Sequence, residues 1–170
     1  MLRLDLARLG REGSVSVDAR VPAENALWEG VEVTFDGPVA VHLTASYAGS
    51  GEVVVRGSLG ANLAQECRRC LEPVSGRFDE DVTMVFVPSD EPGVEEDGDV
   101  RLFDAGSGDL DLSEAVREEI VLAIDPYVVC DPECRGLCPK CGTNLNHGTC
   151  SCTTEEADPR WDALRALKEE

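Results

Sequence analysis

Eight cysteines carry most of the chemistry this chain has to offer, and they lie in two places. Six fall between Cys130 and Cys152 in CDPECRGLCPKCGTNLNHGTCSC, and the other two, Cys67 and Cys70, form an upstream CRRC. Residues 1–66 contain none. A Cys-x-x-Cys pair at a tight turn brings two thiolates onto one metal, at about 2.3 Å each for zinc. CPKC, Cys138 to Cys141, is such a turn, with Gly142 letting the backbone fold back, and CRRC is a second. A structural zinc takes four ligands, so the eight cysteines divide into two sites. Spacing assigns Cys138, Cys141, Cys150 and Cys152 to one, because the intervening GTNLNHGT is made of turn formers able to bring its ends together. Cys67, Cys70, Cys130 and Cys134 make the other, which would staple the C-terminal segment onto the β domain. One alternative stays open: the single residue between Cys150 and Cys152 is tight, and His147 could replace one of them.

Competing sulfur chemistries fit less well. Disulfides persist in oxidising compartments, and the N-terminal MLRLDLARLGREG lacks the unbroken apolar stretch of a secretory leader. The expected location is therefore the cytoplasm. A thioredoxin-like site wants its CxxC at a strand-to-helix turn in a βαβ pattern, whereas CRRC follows SLGANLAQE in a β region. Arg68 and Arg69 would favour a thiolate in a redox site and a metal site alike. An iron–sulfur cluster also uses four cysteines, so the metal is zinc by expectation only. A catalytic zinc keeps an open position beside His or carboxylate ligands, and no such pattern, phosphate loop or GxSxG turn occurs. No enzymatic activity is expected.

The elements that must hold these cysteines read as α+β. Residues 1–129 form a β-rich domain: an antiparallel sheet or small barrel, an acidic loop over 88–110 and a helix over 111–124. LRLDLARL places Leu2, Leu4 and Leu6 on one strand face, the period of two. VSVDARV, VEVTF and VAVHLTASY continue the series, and YAGSGEVVVRG reads as a hairpin. FDEDVTMVFVP closes it, with Phe78, Val82, Met84 and Phe86 inward. His42 reads as an exposed or hydrogen-bonded strand histidine without a role. VRLF adds a short strand within the loop. In DLDLSEAVREEIVLAIDP, Asp111 and Glu114 fit a capping box. Leu112, Val116, Ile120, Ala123 and Ile124 form the apolar stripe there, and Pro126 stops the helix. Residues 130–170 are a zinc-ribbon-like module followed by a short terminal helix, with Asp158 as its cap and Trp161, Leu164 and Leu167 inward.

The 170 residues carry a formal charge of −19. Residues 79–129 hold sixteen acidic and two basic side chains, a net of −14. Phosphate backbones are bound through Lys and Arg, so the field of the whole chain opposes nucleic acid. The acids serve either as a solvated face or as a docking surface for a basic partner, with Glu95, Glu96, Asp97, Asp99, Glu118 and Glu119 as candidates. Direct RNA contact would fall to Arg68, Arg69, Arg135 and Lys140 around the cysteine turns. No run of about 18 apolar residues is present, the length a membrane span needs.

CRRCLEPV, then DLDLSEAVREEIVLAIDPYVVCDPECRGLCPKCGTNLN, then DPRWDALRALK resemble the YceD family of bacteria and plastids. These are the large ribosomal RNA subunit accumulation proteins. The joint occurrence of the three stretches, in order along the chain, makes the resemblance specific. It implies a role in producing or maintaining large-subunit ribosomal RNA, with no established catalytic activity. It also implies that the site holding Cys130 and Cys134 is the more constant one and that the 138–152 site is an accessory. The family's gene often neighbours that of a small zinc-bearing ribosomal protein, which points to a basic ribosomal protein or an assembly intermediate as partner.

Overall fold

The leucine alternation that opens the chain is a strand for only three residues. In the computed structural model, which describes residues 2–49, 51–89 and 100–152, β1 spans Arg3–Asp5 and α1 spans Leu6–Glu12. The Asp5 carboxylate accepts from the Arg8 N–H at 2.7 Å, and Gly13 ends the helix at φ 76°. Leu6 and Leu9 are both buried, and a spacing of three puts them on one helical face. An aspartate N-cap also gives an orphan amide its partner. These two local signals outweigh the period of two, so the strand expected over residues 2–9 is a strand followed by a helix.

The main sheet holds β2 (Ser14–Val21), β3 (Thr34–Phe35), β4 (Val39–Tyr47), β5 (Val53–Glu66), β6 (Pro73–Pro88) and β7 (Val100–Phe103). Its order is β2-β4-β5-β6-β7, with β3 also paired to β5. β1 pairs with β8 (Asp109–Asp111) in a separate antiparallel ribbon. The sheet is open, with β2 and β7 at its two ends, so the barrel alternative does not hold. β4 and β5 form the expected hairpin, Tyr47 opposite Val53. β7 runs parallel to β6. VEVTF contributes only its last two residues as strand.

The chain divides by contacts into two units, residues 1–65 with 75–126 and residues 66–74 with 127–170. The first has an extensive apolar core. Phe78, Val82, Met84 and Phe86 are all buried, and with them Leu43, Leu59 and the helical Val116 and Ile120. His42 Nδ1 lies 2.8 Å from the Asp18 carboxylate on the exposed side of the β2–β4 pair, as a strand histidine without further duty would. α2 spans Ser113–Ala123, two residues inside the expected start. Asp111 accepts from the Ser113 N–H at 2.9 Å, and the Ser113 hydroxyl, with this N–H adding to it, holds its carboxyl below the usual range. That contact is an Asx-type turn in place of the expected capping box. Ala123 is exposed, not inward, and Ala115 takes a buried place instead. The Arg117 guanidinium fastens α2 by donating to the Leu27 and Glu29 carbonyls, both at 2.9 Å.

In the second unit, residues 66–74 connect β5 to β6 and carry CRRC, while residues 127–152 carry the other six cysteines. Among its described residues, Val74, Val129 and Leu137 pack around buried Cys67, Cys70 and Cys134. The expected terminal helix in DPRWDALRALKEE and the loop acids Glu95, Glu96, Asp97 and Asp99 lie outside the described residues.

Candidate metal centres

Each cysteine turn is shaped by one backbone hydrogen bond that closes it. In CPKC the Gly142 N–H donates to the Cys138 carbonyl at 2.9 Å, and Gly142 sits at φ 71°. In CRRC the Leu71 N–H donates to the Cys67 carbonyl at 2.9 Å, and Leu71 sits at φ 61°. The two turns are the same device, although a leucine occupies the left-handed position in one of them. That region is natural for glycine and costs other residues.

The structure brings the eight cysteines into two groups of four: Cys67, Cys70, Cys130 and Cys134 in one, Cys138, Cys141, Cys150 and Cys152 in the other. Within each group every pair of sulfurs lies within 4.8 Å, and all eight are free thiols. Four thiolates at about 2.3 Å from a tetrahedral zinc stand about 3.8 Å apart. Cys67 and Cys134 Sγ are 3.9 Å apart, and Cys70 and Cys130 Sγ are 3.5 Å apart. The donor set and its spacing therefore fit one four-coordinate ion in each cluster. The first cluster is buried except at Cys130; in the second only Cys138 is buried. Both clusters lie wholly inside the second unit. The first one therefore ties the C-terminal segment to the 66–74 connection, where a staple onto the β domain was expected.

Protons at these clusters are divided unevenly. Burial pushes the Cys67 thiol up, but the N–H groups of Cys130, Arg69 and Cys70 outweigh it and bring the thiol down to about 6. Cys130, facing the sulfurs of Cys70 and Cys134, is pushed up to about 12. In the second cluster the Thr143 hydroxyl, 3.2 Å away, and the Thr143 N–H lower Cys141 to about 6. The Cys141 sulfur in turn raises Cys152 to about 12. Thiolates packed this closely repel one another, and a divalent cation is what lets all four in a cluster ionise together.

Polar side chains of the turn-forming GTNLNHGT stretch hold the first cluster in place. Asn146 Nδ2 donates to Cys134 Sγ at 3.2 Å, and this donor is the main cause of the lowered Cys134 thiol. Asn144 Nδ2 donates to Glu72 Oε1 at 3.1 Å, and His147 Nε2 lies 2.7 Å from the same oxygen. His147 thus partners Glu72 and stands outside both sulfur groups, so it does not replace Cys150 or Cys152. Paired asparagines two apart in a loop between ligands were the available signal. Of the four cations considered for RNA, Arg69 is engaged, donating to the Pro132 and Cys134 carbonyls at 2.9 and 3.0 Å. Arg68 lies over the Tyr127 ring at 5.3 Å. Arg135 and Lys140 are exposed. Glu118 and Glu119, considered as docking acids, both bind the Arg101 guanidinium, at 2.9 and 3.1 Å.

Residues 55–168 match the model of a family described as large ribosomal RNA subunit accumulation protein YceD. An uncharacterized protein of Mycobacterium tuberculosis is 31% identical over 96% of this chain and 79% of its own length. A maize protein named large ribosomal RNA subunit accumulation protein YCED homolog 1, chloroplastic, is 30% identical over 87% of this chain and 61% of its own. Its Arabidopsis thaliana namesake is 39% identical over 36% of this chain and 19% of its own. No solved structure matches.

Proposed function

The chain belongs to the YceD family, and on that premise we propose that it is a cytoplasmic, non-enzymatic factor in ribosome biogenesis. It supports the synthesis, processing or stability of large-subunit ribosomal RNA by binding a basic ribosomal protein or an assembly intermediate. Each chain carries two zinc ions, one per cluster. The observation that carries this reading is the pair of four-thiol cages in a chain of this family. A cage of four thiolates leaves no open position for a substrate, which favours a structural role for the metal. The charge balance favours a basic partner: among the described residues of the −14 segment, Glu80, Asp81, Asp104, Asp109 and Glu114 are exposed.

Direct RNA binding through the cysteine module is the second reading. It is favoured by the exposed Tyr127 with the Arg68 guanidinium over its ring, since an aromatic face can stack on a base. Arg69, however, spends its guanidinium on holding the 132–134 backbone. Depletion of the protein from cells should lower large-subunit ribosomal RNA relative to small-subunit RNA, and an unchanged ratio would sink the assignment. Capture of assembly intermediates on the purified protein separates the two readings. Neutralising Glu80, Asp81 and Glu114 should weaken capture by a basic protein, whereas Arg68→Ala and Tyr127→Ala should be the damaging changes if RNA is bound directly.

A further inference from the structure

The loop 142–149 runs between the second and third cysteines of the second cluster, yet its Asn144, Asn146 and His147 turn their polar groups toward the first cluster and the Glu72 beside it. Asn146 donates through Nδ2 to Cys134 Sγ at 3.2 Å, and its Oδ1 is fixed by the Arg135 N–H at 2.7 Å. Asn144 accepts from the Asn146 N–H through Oδ1 at 2.9 Å and donates through Nδ2 to Glu72. Glu72 is two residues beyond Cys70. Its backbone carbonyl accepts from the Cys67 N–H at 2.8 Å, and its Oε2 is 3.9 Å from Cys70 Sγ. The backbone reinforces the same path. The Leu145 N–H donates to the Gly136 carbonyl, and the Leu137 N–H donates to the Arg69 carbonyl, both at 2.9 Å.

From this arrangement we propose that the two cysteine clusters are coupled: the loop closed by the second cluster carries Asn144 and Asn146, which position the ligands of the first, so that filling either site strengthens the other. The proposal rests on the reading that both clusters take zinc, and it goes beyond it by making Asn146, Asn144 and Glu72 positioning residues for a site they do not ligate. The eight-residue loop GTNLNHGT, with two glycines and no regular secondary structure, has little order of its own. Closing its ends on an ion removes that freedom in advance, and the first cluster then receives its Asn146 donor at lower entropic cost. Thermodynamic reciprocity makes the benefit mutual. The arrangement also gives the 138–152 site a use within the molecule.

The test uses the full chain, stripped of metal under reducing conditions and titrated with zinc against a competing chelator, with cobalt(II) absorption reporting thiolate ligation. Three variants are compared with the wild type: Cys150→Ser with Cys152→Ser, Asn146→Asp, and the three substitutions together. Partners that orient a ligand are typically worth about 10- to 100-fold in metal affinity. Disabling the second cluster should therefore weaken the first by about 10-fold or more. Asn146→Asp keeps the acceptor for the Arg135 N–H but faces Cys134 with a carboxylate in place of a donor. It should weaken the first site by a similar factor, and it should remove most of the further loss caused by the cysteine changes. First-site affinity that is indifferent to both sets of changes, in a wild type that still binds two ions, overturns the coupling and leaves the zinc reading standing. A wild type that takes up no zinc overturns both.

Discussion

At the scale of single residues, the thiols set the most direct expectations. Cys141 is exposed and its thiol is held down to about 6 by Thr143, so while its turn stays folded it is largely thiolate at neutral pH. Thiolate, not thiol, is the nucleophile. Cys141 should be the first of the eight to be alkylated by iodoacetamide at pH 7, with its rate falling as pH drops below about 6. Cys67 is lowered equally but fully buried and should lag. Mass spectrometry of partially labelled protein reads the order, and a leading Cys130 or Cys152 would contradict it. Two glycines give a paired comparison. Gly136 and Gly142 both sit at φ 71°, but a Cβ on Gly136 would lie 2.8 Å from the Arg69 carbonyl oxygen, while Gly142 meets nothing within 4 Å. Gly142→Ala should therefore cost the cysteine module about 1–2 kcal/mol, the left-handed penalty alone. Gly136→Ala should cost more, because the neighbour it strikes is backbone. Equal losses in chelator-competition assays would show that the contact with Arg69 is not tight. Both cysteine quartets were legible in the sequence, the second from its local spacing and the first as the four cysteines that remained. Asn144, Asn146 and Glu72 were not, because an asparagine that positions a sulfur and one that only turns a loop look alike until their partners across the fold are known.

At the scale of elements, period-two alternation identified the long strands, and it misled at the N-terminus, where only Asp5 separates a strand from a helix. The cap is the deciding contact. Asp5→Ala should cost about 1 kcal/mol by leaving the Arg8 N–H unpartnered, a loss that Asp5→Asn or Asp5→Ser should largely restore. Thermal unfolding of the three variants checks it, and an Asp5→Ala protein as stable as its parent would mean that Leu6 and Leu9 hold the helix unaided. The parallel pairing of β7 was illegible for a different reason. A four-residue VRLF announces a strand, but its direction depends on a connection whose acidic residues carry no periodicity. The short β8 was hidden likewise: DLD reads as a helix start, and it pairs with β1 only because Arg3, Leu4 and Asp5 offer it a ladder.

Across the whole molecule, the linear boundary after residue 129 conceals how the chain is partitioned. The 66–74 connection belongs by contacts with the cysteine module, and nothing in a linear reading marks a strand-to-strand turn as part of another unit except its two cysteines. The partition separates two kinds of stabilisation. The first unit buries leucines, valines and phenylalanines from all eight strands, and apolar side chains from both helices, at about 25 cal/mol per Å² of apolar surface. Among its described residues the second has only Val74, Val128, Val129, Leu137 and Leu145 half-buried beside its sulfurs, too few to offset the roughly 1–2 kcal/mol of backbone entropy for each ordered residue. Its order must then come mainly from metal, because binding free energy at a site that the unfolded chain lacks is folding free energy. Treating the protein with a strong chelator should accordingly abolish amide-exchange protection at Cys67, Cys134, Leu137 and Cys138, whose N–H groups close the module's turns. Protection along β4 and β5 should persist, since Val41, Leu43, Val55 and Leu59 keep their burial. Restoring zinc should return the lost protection without changing the sheet's. Simultaneous loss in both sets would mean that the two units unfold as one, and that the metals hold the sheet as well as the module.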